Sequence, residues 1–215
     1  MIKLNSLKRF ILKNKKSFYR IYYKISSRKL KTKDFTILSS NCLAGRIYKD
    51  LGVKYNTPTV GLFFWGEDFL KFIKNLDKYL SVELKFNKES KYDEINEMRK
   101  NNNLNYPIGI LDDIEIQFLH YKSCNEAMDK WKRRCSRVNR NKIFILDTDR
   151  DGFNIDFFNS YEKINFPKLI FTSKDYKNKY NIFVKEFEGS PYVGDLYNSA
   201  IFYKYINPIK WINNN

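Results

Sequence analysis

From residue 35 onward, apolar positions switch repeatedly between an unbroken or alternating pattern and a helical one. "FTILS" is a short apolar run of the kind that makes a strand buried on both faces. Residues 42–51 then read as a short helix with Ser40 or Asn41 as its cap. "TVGLFFW" predicts a second strand. Phe69, Phe72, Ile73, Leu76 and Leu80 keep helical spacing over 67–80, and "SVELKF" returns to strand. Residues 87–105, polar and ending in "NNNLN", read as a surface connection. Beyond them "PIGIL", a turn at Asp112–Asp113 and "IEIQFLHY" predict a hairpin that places Ile114, Ile116, Phe118 and His120 on one strand face. Ser123 and Glu126 form a capping box for a helix over 123–138, whose apolar face carries Cys124, Ala127, Met128, Trp131, Cys135 and Val138. The strand "KIFIL", a helix near 154–164, the strands "KLIFT" and "NIFVKEF", and a closing stretch that is helical at first complete the chain. Alternating units of this kind predict a three-layer α/β/α fold with a mixed, largely parallel sheet. Residues 34–215 read as one α/β domain, or as two halves joined near 87–105.

The first 33 residues follow a different rule. Leu4, Leu7, Ile11, Phe18, Ile21 and Ile25 keep a 3–4 spacing interrupted at Asn14, among nine Lys and three Arg with no acid. This predicts a basic amphipathic arm suited to an anionic membrane surface, or else a helix packed on the domain or a partner. The arm also changes the meaning of the net charge of +16, because the other 182 residues hold 28 basic against 24 acidic side chains. A general nucleic-acid-binding surface is not implied. No window approaches 18 uninterrupted apolar residues, and no compact apolar leader with a cleavage site stands at the N-terminus. Three cysteines without a CxxC suit a reducing cytosol, so a cytoplasmic protein is expected, peripheral on the inner face of the plasma membrane if the arm binds lipid.

Several chemistries are excluded. The chain has no GxGxxG, Walker-type loop, GxSxG or HExxH, and its one histidine rules out a multi-histidine zinc site. A Cys42–His120 pair remains open as a nucleophile and base, since a thiol at a helix start feels the positive end of the macrodipole. Cys42 reads equally as a turn residue or a packed small side chain, and His120 as a core or rim histidine. In "FILDTDRDG", Asp147, Asp149 and Asp151 follow an apolar strand, and carboxylates at that edge suit a divalent cation, Mg or Mn, bridging a diphosphate. The EF-hand alternative fails because Phe158 stands where a bidentate Glu is required. Lys130, Arg133, Arg134 and Arg137 form a basic stripe that could hold phosphates, or is simply solvated.

"FTILSSNCLAGRIYKDLGVKYNTPTVGLFF", "YPIGILDDIEIQFLHYKSCNEAMDKWKRR", "DRDG" and "YVGDLYNSAIFYKYINPIKWIN" together resemble a bacterial domain of unknown function, number 1919, met among capsule and exopolysaccharide biosynthesis proteins. The resemblance implies a three-layer α/β fold and points to Asn41, Cys42, Asp113, Glu115, His120, Trp131, Arg134, Asp149, Arg150 and Asp151. Leu43 departs from the family, whose members tend to carry Trp after the cysteine. The expected function is sugar transfer or modification on a nucleotide- or lipid-diphosphate sugar. In that reading His120, Cys42 and Asp149 belong to the catalytic set and Asp149 with Asp151 to the metal. Asn41, Asp113, Glu115, Trp131, Arg134 and Arg150 contact substrate. The alternatives are a Cys–His hydrolase or acyltransferase acting on polysaccharide substituents, and a non-catalytic assembly factor.

Overall fold

The computed structural model describes residues 17–215. The expected positions Leu4, Leu7 and Ile11 of the arm lie outside them. Residues 17–26 are helical (α1) and end in a 3-10 turn at Ser27–Lys29.

Four strands, β1 (Thr36–Ser39), β5 (Ile143–Thr148), β6 (Lys168–Thr172) and β7 (Asn181–Phe183), form a parallel sheet in that order. The apolar run of β5 is buried at every position because the strand has a core on each face. Ile143 and Ile145 enter one core, Phe144 and Leu146 the other. On the first face lie α3 (Gly66–Lys74), α4 (Leu76–Ser81), α6 (Cys124–Cys135) and α7 (Ile155–Ser160). The second face is covered by α1, α2 (Leu43–Leu51), α8 (Leu196–Ser199) and α9 (Pro208–Asn213). The expected α/β layering is observed, with β1 drawn from one half of the chain and β5–β7 from the other.

A separate antiparallel sheet joins β2 (Lys85–Asn87), β3 (Ile108–Leu111) and β4 (Ile114–Gln117). Ile114 and Ile116 enter the first core, whereas Glu115 and Gln117 are buried on the other side of β4. The cover there includes Ser90 and Lys91, which lead into α5 (Asp93–Asn101) within the stretch expected to be a plain connection.

Other expectations need correction. "TVGLFFW" is no strand. It crosses between the two sheets, with Phe63 bridging Gln117 and the Phe64 amide donating to the Ser40 carbonyl at 2.8 Å. The helix over 67–80 breaks at Asn75 into α3 and α4. His120 leaves the strand face, because β4 ends at Gln117 and the chain turns, leaving the imidazole exposed. Cys124 is exposed at the first turn of α6. The capping box is offset by one residue: Ser123 accepts from the Glu126 amide, and the Glu126 carboxylate accepts from the Lys122 amide at 2.8 Å.

At Gly109 of β3, an added Cβ would lie 2.5 Å from the Phe118 ring and 2.8 Å from Leu84. Gly109→Ala is therefore expected to lower stability by about 1–3 kcal/mol through overpacking, read from urea unfolding midpoints.

Candidate functional site

The carboxyl ends of β1 and β5 open into a cavity of about 690 Å3. Strand-to-helix loops fan apart at this edge of a parallel sheet, which is why ligands collect there. Asn41–Leu43 after β1, Arg150 and Asp151 after β5, Leu119 and His120 after β4, and Gly194–Asn198 at the start of α8 supply its walls.

Asn41 fastens the first two walls together. Its Nδ2 donates to Thr148 Oγ1 at 3.0 Å, and its Oδ1 accepts from the Leu43 amide at 3.1 Å. Asn41 thus satisfies a free N–H of α2 that the N-cap residue Cys42 does not. The Cys42 thiol instead donates to the Leu62 carbonyl at 3.9 Å. Burial first, and then the nearby charge of Asp151, push it up to about 11, so it stays protonated at neutral pH. The helix dipole does not win here. Cys42 and His120 line the same cavity, yet no hydrogen bond joins them.

The second wall is a tight turn. The Phe153 amide donates to the Arg150 carbonyl at 3.1 Å, and φ is positive at both central residues, Asp151 (54°) and Gly152 (78°). This is the type I′ pattern favoured by Asp-Gly. Gly152 is required twice over, since any Cβ there would collide with the Trp65 indole. The Gly66 amide donates to the Asp151 carbonyl at 2.7 Å and locks the turn to α3. The Asp151 carboxylate itself makes no hydrogen bond or ion pair with a described residue. Burial raises its pKa, with Arg150 only partly offsetting the shift. Arg150 lies over the Tyr192 ring at 5.6 Å and forms no ion pair among the described residues.

Asp149 is committed elsewhere. Its Oδ2 accepts from the Ser173 amide and hydroxyl at 2.6 and 2.9 Å, and its Oδ1 from the Val193 amide at 2.8 Å. Its oxygens are turned to these donors, and no group of three or more His, Cys, Asp or Glu that could hold a metal forms among the described residues. With Asp149 held by these three donors, Asp151 is left as the carboxylate of the expected metal pair that has no hydrogen bond with a described residue. Asp147 is fully enclosed against Tyr161, whose hydroxyl donates to it, and lies off the cavity. Desolvation raises its pKa to about 6 against hydrogen bonds from Ser40, Tyr161 and the Thr148 amide.

Four residues expected to contact substrate lie away from this cavity. Asp113 sits in the exposed turn between β3 and β4, taking the Tyr79 hydroxyl at 2.7 Å beside Lys71 and Lys78. Glu115 is buried and accepts from Ser90, Gln117 and the Lys91 amide. Trp131 packs on Phe72 and Phe118. Arg134, buried rather than part of an exposed stripe, donates to the Tyr121 hydroxyl and the Val60 carbonyl.

Sequence reasoning missed Thr148 and the Gly194–Asn198 wall. Asp195 caps α8 by accepting from the Asn198 amide at 2.7 Å, a D-x-x-N spacing that marks a helix start. That signal was legible, but nothing in it pointed to the cavity. Behind this wall, Arg46 of α2 pairs with Asp50 and donates to the Tyr197 carbonyl at 2.9 Å, while Tyr203 donates to Asp50 at 2.8 Å. A second cavity, about 810 Å3, opens at the amino ends of β6 and β7 among Lys168, Lys177 and Lys179. It gathers none of the candidate residues.

Fold and site together define an α/β protein with a cavity at the carboxyl edge of a parallel sheet. The chain matches, over residues 13–213, the family described as domain of unknown function DUF1919. An uncharacterized protein of Haemophilus influenzae is 35% identical over 195 residues, covering 86% of this chain and 87% of that protein. The chain belongs to the DUF1919 family.

Two outcomes follow for the acidic run. Asp149→Ala would strand two amides and a hydroxyl, and is expected to cost about 3 kcal/mol or more in denaturant unfolding. For Asp147, the folded state binds the proton more tightly than the unfolded chain, whose ordinary value is 3.8. Its contribution is fully present below about pH 4 and is lost as pH rises through about 6. The difference in unfolding free energy between wild type and Asp147→Asn should therefore change by about 3 kcal/mol across that window. A pH-independent difference would refute the raised value.

Proposed function

We propose that the protein transfers or modifies a sugar carried on a diphosphate, nucleotide- or lipid-linked, in the assembly of a surface polysaccharide. The observation that carries this reading is the meeting of Asp151 and Arg150, neither held in an ion pair among the described residues, with His120 and Asn41 around one cavity. A half-buried carboxylate with a raised pKa and no internal hydrogen bond is suited to act as a general base. In the proposed reaction Asp151 takes the proton of an acceptor hydroxyl, and that oxygen attacks the sugar carbon. The bond to the diphosphate breaks, and Arg150 holds the departing phosphate oxygens, a task for which a guanidinium is well shaped. His120, exposed on the rim, hydrogen-bonds the sugar. Leu43, Phe63, Leu119 and Leu196 give the cavity apolar walls against which a ring can lie.

The Cys–His hydrolase or acyltransferase reading is less well supported. A thiol held near 11 and bonded to a backbone carbonyl is a poor nucleophile at neutral pH. A non-catalytic assembly factor would have no use for a carboxylate left without a hydrogen bond in a cavity.

The test is thermal unfolding against a panel of nucleotide-diphosphate sugars, followed by release of nucleoside diphosphate. A ligand at a hundred times its Kd adds about 3 kcal/mol of stability, a shift of several degrees in Tm. Arg150→Ala is expected to abolish that shift. Asp151→Asn should keep it while slowing turnover about a hundredfold to ten-thousandfold. Iodoacetamide at neutral pH should leave turnover intact. Rapid inactivation at Cys42 would favour the hydrolase, and the absence of a shift with every diphosphate sugar would remove the proposed reading.

A further inference from the structure

Helix α1 divides its surface three ways. Tyr19 and Tyr23 stack on Tyr203, with ring centroids at 4.7 and 4.5 Å, and so bind the helix to the body of the protein. Roughly 130° around the helix, at 100° per residue, stand Phe18, Ile21, Tyr22 and Ile25. Their spacing of i, i+3, i+4 and i+7 is that of a buried stripe, yet they are 64, 61, 46 and 63% exposed. Single exposed apolar residues are ordinary, but four in register on one helix are a contact surface with no partner among the described residues. Arg20 and Lys24 on the remaining side, and Arg28 in the 3-10 turn that follows, are all exposed.

Charge decides what the partner is. The first 33 residues carry nine Lys and three Arg and no acid. A second copy seated on this face would bring Arg20, Lys24 and Arg28 of both copies near one another, so pairing like with like works against itself. An anionic bilayer offers the matching order of layers, phosphates outside and hydrocarbon beneath. The helix is not long and apolar enough to cross a membrane, so contact is at the interface.

We propose that the exposed face of α1 docks on an anionic lipid bilayer. Phe18, Ile21, Tyr22 and Ile25 enter the boundary between headgroups and acyl chains, while Arg20, Lys24 and Arg28 lie over lipid phosphates. Tyr22 suits this depth, with an apolar ring and a polar tip. The docking does not depend on the reaction proposed above.

The experiment is flotation of the full chain with vesicles of phosphatidylglycerol and phosphatidylcholine, and with phosphatidylcholine alone, at low and high salt. Binding is expected on the anionic vesicles, weaker on the neutral ones and falling with salt. Ile21→Ser with Ile25→Ser keeps the charge and removes two inserting side chains. Because both positions are exposed, Tm should hold while partitioning falls about tenfold or more. Three results overturn the proposal: wild type that stays at the bottom of the gradient with both vesicles, a double variant that floats as well as wild type, and a wild-type dimer in sedimentation that the double variant dissolves. The last would make this face an interface between copies.

Discussion

Three hydrogen bonds converge on the carboxylate of Asp149, from the amide and hydroxyl of Ser173 and the amide of Val193. Ser173 directly follows β6, and Val193 directly precedes the Gly194–Asn198 wall of the cavity. One side chain at the end of β5 therefore fixes the end of the neighbouring strand and the approach to α8. A buried carboxylate is costly unless donors surround it, and this arrangement supplies three. The consequence reaches the chemistry. Once Asp149 is committed to holding the loops, Asp151 is left as the carboxylate of the pair that lines the cavity.

The rest of the site is fixed by similar polar ties rather than by apolar packing alone. Asn41 joins the ends of β1 and β5 through Thr148. The buried Arg46–Asp50 pair, with Tyr203 on one side and the Tyr197 carbonyl on the other, links α2 to α8 and to the residue on which α1 stacks. Arg46 Nη2 is left buried with no hydrogen-bond partner among the described residues, a cost visible in this arrangement. Helix α1 and the cavity thus hang on one continuous polar and aromatic framework. Such fixed surroundings suit a site that must hold a substrate in one geometry.

Local strain is spent at the same place. Asp151 takes a left-handed backbone conformation that only its short polar side chain tolerates easily, and Gly152 follows it under Trp65. The turn is closed by the Phe153 amide on the Arg150 carbonyl and tied to α3 by the Gly66 amide on the Asp151 carbonyl. It carries Arg150 and Asp151 to the cavity while turning the chain back toward α7.

The sequence alone determined the layers. Unbroken apolar runs at β1, β5 and β6 pointed to strands with a core on each face in a largely parallel sheet, and the acidic run after β5 marked the edge where loops meet. It also singled out Asn41, Cys42, His120, Arg150 and Asp151, which share one cavity. Tertiary structure decided what each polar residue does there. Asp149 and Asp151 look alike in "DTDRDG", and only the positions of Ser173 and Val193 distinguish the one that holds the loops from the one left open. Glu115 and Arg134 look like surface chemistry until Ser90, Lys91 and Tyr121 are seen to enclose them. Spacing reports which face a residue occupies, but a charged group's role depends on the donors and acceptors around it, and these come from segments distant in the chain.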